Sequence, residues 1–251
     1  MGDVLDYSSI AASMRRRLPQ IAALAEQVPY EAQGILYSEI LFLLACLEGT
    51  QTKRLIESGR ARAQSTLLLS LALPDVEIIS IELDPNSPDA PFAAERLKDR
   101  RNVRLLFGDS RIVVPDLLQE GDVVLIDGPK GFRSIRFALS LLMDGRASQV
   151  FLHDLTFGTP KRSFVAANFP EARFSDRRQL AEIGSLADKS VIPQLAAHLQ
   201  LGALSAEFGY GFGLGVIPRL DGRPYRWLRA KASLAGQIER VGSKLRRRQP
   251  K

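Results

Sequence analysis

Apolar positions in the first fifty residues recur at helical spacing. Ile10, Met14, Leu18, Ile21 and Leu24 follow one another at intervals of three or four until Pro29 interrupts them. Ser38 with Glu39 then opens a second apolar segment, Ile40 to Leu47, which stops at Gly49. Two helices are predicted, with Cys46 a core residue of the second. From Lys53 the rhythm changes. Short β-type runs (Arg54 to Glu57, Glu77 to Leu83, Val103 to Phe107, Asp122 to Asp127, Gln149 to His153) alternate with helix-type runs at Gln64 to Leu73, Phe92 to Arg100, Ser110 to Leu118 and Ser134 to Met143. Parallel neighbours need crossovers of this length, so the alternation predicts an α/β domain with a mostly parallel sheet.

After His153 the pattern loosens. Thr156 to Ala206 has no clear rhythm, and Glu207 to Ile217 reads as a glycine-punctuated apolar strand suited to an antiparallel edge and a substrate loop. Near the end, Trp227, Leu234, Ile238, Val241 and Leu245 recur at spacings of 7, 4, 3 and 4, which predicts an amphipathic helix with a basic opposite face. The expected organisation is therefore an N-terminal helical segment (1–50), an α/β domain (51–218) and a basic C-terminal tail (219–251).

Composition narrows the class of protein. With 251 residues, 45% hydrophobic and 25% charged, the chain lies in the ordinary globular range, which excludes disordered, collagen-like and purely coiled-coil readings. One cysteine excludes a disulfide framework and a cysteine-based zinc site. The longest apolar run is too short for a membrane span, and the acidic start, with Asp6 where a myristoylation motif has Ser or Thr, resembles neither a signal peptide nor an acylation signal. A cytoplasmic location is the expectation. Net charge is +6, but residues 226–251 hold nine basic side chains against Glu239 alone, so the preceding part is mildly acidic. The tail has three possible uses besides a solvated helix: peripheral contact with an inner membrane surface, pairing in a homo-oligomer, or contact with phosphates. With one aromatic in it, nucleic-acid stacking is disfavoured.

In an open parallel sheet ligands bind beyond the carboxyl ends of the strands. Those ends are acidic here: Glu57, Glu82 and Asp84, Asp109, Asp127, then His153 with Asp154. Glu57-Ser58-Gly59 leads through a tight turn into a helix start, where Ser65 and Thr66 can cap the first turn. Glu82 closes the next strand roughly 20 residues on, where a carboxylate accepts ribose hydroxyls. Because Gly59 is not followed by the further glycines of a dinucleotide fingerprint, a nicotinamide cofactor is disfavoured.

The segments ESGRARAQST, SIELDP, FGDS, LIDGPKG and FLHDL occur in the order and spacing of class I S-adenosylmethionine-dependent methyltransferases, which the chain resembles from about Tyr37 to Ile217. Asp127-Gly128-Pro129-Lys130-Gly131 is similar to the DGP[KR]G stretch of glucuronoxylan O-methyltransferases and related sugar or small-molecule O-methyltransferases. The resemblance implies a Rossmann-like, doubly wound, mostly parallel seven-stranded sheet with helices on both faces. It also implies S-adenosyl-L-methionine as cofactor, with Glu57 and Gly59 toward its methionine end, Ser58 and Ser65 also among the cofactor-binding residues, Glu82 on the ribose, Asp109 and Ser110 at the adenine edge and Asp127 beside the methyl group. The departures are Ala61 and Ala63 where glycine is common, flanked by Arg60 and Arg62; alanine suits such a turn when φ stays negative.

An acidic rim favours a cationic sulfonium, and methyl transfer needs in-line placement above all. The acceptor hydroxyl must still lose a proton, to a base or with help from a metal. Asp127 and Asp154 end neighbouring strands and are the candidate ligands for a divalent metal ion, with Leu155 where related enzymes carry Asn. His153 is the leading candidate base, with Asp127 and Asp154 completing the catalytic set. His198 reads as structural, and Lys130 suits an acidic acceptor such as a uronate. The expected reaction is O-methylation of a glycan or other small hydroxylated acceptor. The alternative is a non-catalytic methyltransferase-fold protein recruited to a membrane or partner by its tail. A nucleic-acid methyltransferase is disfavoured because the Asp127 segment lacks an aromatic to stack on a flipped base.

Overall fold

Seven strands, β1 (Arg54–Ser58), β2 (Glu77–Glu82), β3 (Val103–Phe107), β4 (Asp122–Ile126), β5 (Ala147–Leu152), β6 (Arg173–Phe174) and β7 (Gly215–Pro218), form one sheet ordered β3-β2-β1-β4-β5-β7-β6. The computed structural model describes residues 6–31, 34–192 and 213–246. β1 to β5 run parallel, β7 lies antiparallel to β5, and β6 pairs antiparallel with β7. Progress along the chain moves outward from β1 through β2 to β3, then restarts beside β1 at β4 and continues the other way. The carboxyl ends of β1 and β4 therefore flank a switch point, the place where an open α/β sheet leaves a crevice.

Strand side chains alternate between two cores because their period is two. Leu55, Ile78, Val123, Leu125 and Phe151 face a layer made by α1 (Tyr7–Gln27), α2 (Tyr37–Leu47), α3 (Gln64–Ala72) and α8 (Arg178–Ala187). Ile56, Ile79, Val124, Ile126, Val150 and Leu152 face α5 (Ser110–Leu117), α6 (Phe132–Asp144), α7 (Pro160–Asn168) and α9 (Tyr225–Arg246). α4 (Ala90–Leu97) packs Ala93 and Leu97 on Ala63. The fold is the expected Rossmann-like, doubly wound, mostly parallel seven-stranded sheet with helices on both faces.

Local chemistry explains the boundaries. Asp6 caps α1 by accepting the Ser9 N–H at 2.7 Å, and Thr159 caps α7 by accepting the Arg162 N–H at 3.3 Å. α2 is buried along its whole length, Glu39 included, and Cys46 lies in its core. The 1–50 segment shares the first core with the sheet.

Three expectations need correction. Thr156 to Ala206 is not without regular structure: α7, β6 and α8 lie within it, too short and too polar for periodicity to reveal. Only 213–217 of the glycine-rich strand is among the described residues, and β7 there is not the sheet edge, because β6 pairs outside it. His198 and 207–212 lie outside the described residues. In α9 the surface opposite Trp227, Leu234, Ile238 and Val241 is not a basic face; it carries Tyr225, Leu228 and Ala232, buried against the second core.

Candidate active site

β1 delivers Glu57 and Ser58 to the switch point. Glu57 shares the face of Leu55, so its carboxylate points into the α3 layer, where it is fully buried and accepts hydroxyl hydrogens from Ser65 at 2.5 Å, Ser80 at 2.6 Å and Thr66. Burial pushes its pKa up against those three hydroxyls. Glu57 thus ties the start of α3 to β1 and β2 from beneath rather than lining the rim. Ser58 Oγ is hydrogen-bonded to the Ser110 hydroxyl at 2.6 Å and donates to the Gly128 carbonyl. The N–H groups of Asp127 and Gly128 both donate to the Ser58 carbonyl at 2.8 Å, which stitches the two strand ends together. Gly59 is required here: its φ is +92°, and a Cβ would sit 2.8 Å from the Gly128 nitrogen.

The turn after Gly59 holds its shape without further glycine. Glu82 Oε2 accepts the N–H groups of Arg60 at 3.1 Å and Ala61 at 2.9 Å, while Oε1 accepts that of Leu83 at 2.7 Å. A carboxylate offers about four acceptor positions, so Oε1 keeps room for a ligand hydroxyl. Contrary to expectation, φ is positive at Ala61 (+44°) and Ala63 (+64°). Alanine in the left-handed region is strained by about 1–2 kcal/mol. Ala61→Gly is therefore expected to raise unfolding stability by about 1 kcal/mol, read from the denaturant midpoint, because Ala61 is exposed and no packing is lost. Ala63, fully buried on Ala93 and Leu97, should gain less. The bulky neighbours are engaged elsewhere. Arg60 Nη1 donates to the Ser80 carbonyl at 2.7 Å and its guanidinium lies 4.8 Å from the Phe107 ring centre, while Arg62 covers Phe92 and pairs with Glu31.

Beyond β2 and β3, Leu83, Phe107 and Ile112 are exposed apolar side chains (66%, 43% and 68%) beside Asp109. Asp109 caps α5 through the Arg111 N–H at 3.0 Å and binds the Arg111 guanidinium, which draws its pKa down.

The ends of β4 and β5 bring Asp127, His153 and Asp154 together, with ligand atoms within 4.8 Å of one another. His153 is 7% exposed, with Nδ1 2.7 Å from Asp127 Oδ1 and Nε2 3.1 Å from Glu39 Oε2. Burial opposes its protonation, but Glu39 and Asp127 prevail and raise its pKa to about 10. Burial likewise opposes ionisation of Asp127, and His153 and Lys130 outweigh it, bringing the carboxyl to about 2. Lys130 Nζ bridges Asp127 Oδ1 at 2.6 Å and Asp154 Oδ2 at 2.8 Å. The rim is therefore a set of neutralised ion pairs rather than a bare acidic surface.

This arrangement bears on one expected role: two flanking carboxylates favour the protonated form of His153, which weakens it as the expected base. Asp127 and Asp154 share the Lys130 ammonium, and together with His153 they are the donor group that would hold a divalent metal ion. The periodicity passed over two residues. Glu39 reads as a helix start, yet it is fully buried behind His153; its signal is a lone carboxylate in an otherwise apolar segment. Lys161, in the first turn of α7, lies in the field of Asp154 and Lys130, and burial lowers its pKa. No periodic signal marks it.

No family model matches the chain, and no curated protein does. Among solved structures it is similar to the SAH-bound methyltransferase PaMTH1 of Podospora anserina, at 15% identity over 88% of this chain and 100% of that one, with a TM-score of 0.46. It is also similar to the O-methyltransferase TomG of Streptomyces achromogenes in complex with SAM, at 18% identity over 81% and 89% of the two chains and a TM-score of 0.45. A third similarity is to a caffeoyl-CoA O-methyltransferase-like protein of Staphylococcus aureus, at 14% identity over 81% and 92%, with a TM-score of 0.45.

Proposed function

We propose that the chain is an S-adenosylmethionine-dependent methyltransferase acting on a hydroxyl of a sugar or another small acceptor. The observation that carries this reading is the left-handed turn at the β1/β4 switch point, gripped by Glu82 and in backbone contact with the loop that presents Asp127. When bound, the cofactor supplies an electrophilic methyl group on a sulfonium. Glu82 Oε1 accepts a ribose hydroxyl, and Leu83, Phe107 and Ile112 offer the adenine an apolar seat. Asp127, ionised at all working pH values, faces the sulfonium charge.

On the acceptor side, Lys130 carries an ammonium that stabilises the forming alkoxide and suits an acidic acceptor such as a uronate. Calorimetric titration with S-adenosylmethionine and its demethylated product tests the reading. We expect saturable binding by both, weakened about tenfold or more in Glu82→Gln as the ribose contact loses its charge. No binding to the folded chain would overturn the proposal and favour a non-catalytic role.

A further inference from the structure

α9 is apolar on two sides. Its inner side packs Tyr225, Leu228 and Ala232 on the body, and Gly236 lets Phe132 approach so closely that a Cβ would stand 2.8 Å from it. Its outer side carries Trp227, Leu234, Ile238 and Val241, which are 59%, 58%, 64% and 59% exposed. At 100° per residue these four fall within an arc of about 60°, nearly opposite the packed side. A helix anchored by one face and left with an aliphatic and indole stripe outward is built to meet an apolar phase.

The charges beside the stripe specify that phase. Exposed Arg226 lies about 90° round the helix from the stripe, with Arg240 farther round, and Lys231 borders its other edge, its Nζ 5.1 Å from the Trp227 ring centre. Glu239, the one acid of the helix, turns toward the body, where it acts on Lys161. Residues 226–251 hold nine basic side chains against Glu239 alone, so the apolar stripe lies in a strongly cationic segment, which suits an anionic lipid surface.

We propose that the outer face of α9 seats the protein on an anionic bilayer, the stripe entering the interface and the basic side chains of the segment meeting the lipid phosphates. A second copy of the chain fits this face poorly, since it would bring its own cationic flanks against these without an acid to meet them. The proposal is independent of the methyl-transfer reading.

The test uses the full chain and vesicles of phosphatidylcholine with and without phosphatidylglycerol. Trp227 is the only tryptophan in the chain, so its emission reports on the stripe itself. The expected result is a blue shift and co-sedimentation with the anionic vesicles only, weakening as salt rises. Leu234→Ser with Ile238→Ser should reduce binding by about tenfold or more at an unchanged melting temperature, and Arg226→Gln with Lys231→Gln should flatten the salt dependence. Absence of the shift, or binding that survives loss of the stripe, would overturn the proposal. So would a wild-type dimer that Leu234→Ser with Ile238→Ser turns into monomers.

Discussion

Replacing His153 with Gln is expected to cost about 3–5 kcal/mol of unfolding free energy at pH 7, measured by equilibrium denaturation. The cause is the carboxylate left behind. Glu39 is wholly enclosed by α2 and the first core, and His153 Nε2 at 3.1 Å is its counter-charge. Gln fills much of the space and can donate a hydrogen bond, but it carries no charge. Glu39→Gln with His153→Gln should therefore cost less than the two single changes added together. The pH dependence follows from the same pair. The folded-state pKa of His153 is raised from 6.5 to about 10, so its contribution is complete below about 6.5 and is lost as pH rises toward 10. Asp127 acts at the other end: its folded-state value is lowered from 3.8 to about 2, so its contribution is present above 3.8 and lost as pH falls toward 2. The wild type should lose stability between pH 7 and 10, and His153→Gln should show a flat profile there. Equal slopes in the two proteins would mean that His153 is not the imidazolium described.

Asp127→Asn is expected to lower turnover by about 10²–10⁴-fold while leaving S-adenosylmethionine affinity within a few-fold. Asn keeps the volume and the contact with Lys130, but removes the charge that holds His153 and Lys130 in register at the switch point. Full turnover in Asp127→Asn would remove Asp127 from the catalytic assignment.

The alternation of strand and helix was readable because β1 to β5 are short runs rich in apolar residues, each separated from the next by a helix long enough to cross over. Val103–Phe107 is recovered residue for residue, and β1, β2 and β4 end within one residue of expectation. The site was half legible by the same logic, since the strand ends are the last positions before each run breaks. That rule located Asp127, His153 and Asp154, whose ligand atoms do meet. It did not distinguish a carboxylate at the rim from one beneath it. Glu57 and Glu82 read alike at the ends of adjacent runs, yet Glu57 lies one residue inside its strand, beside Ser80 and buried under three hydroxyls, while Glu82 ends its strand and grips the turn.

Local order along the chain is encoded by neighbours a few residues apart, so periodicity alone established the α/β alternation, the two N-terminal helices and the amphipathic tail. Protonation and exposure depend on partners brought from afar. Glu39 meets His153 across 114 positions of sequence, and that contact converts a presumed base into a buried cation. Lys130 reaches Asp154 across 24, and so neutralises part of the acidic rim. The apolar stripe of α9 is visible in the sequence, but its outward direction is set by the packing of Tyr225, Leu228, Ala232 and Gly236, since only one side of a helix can face the core it lies on.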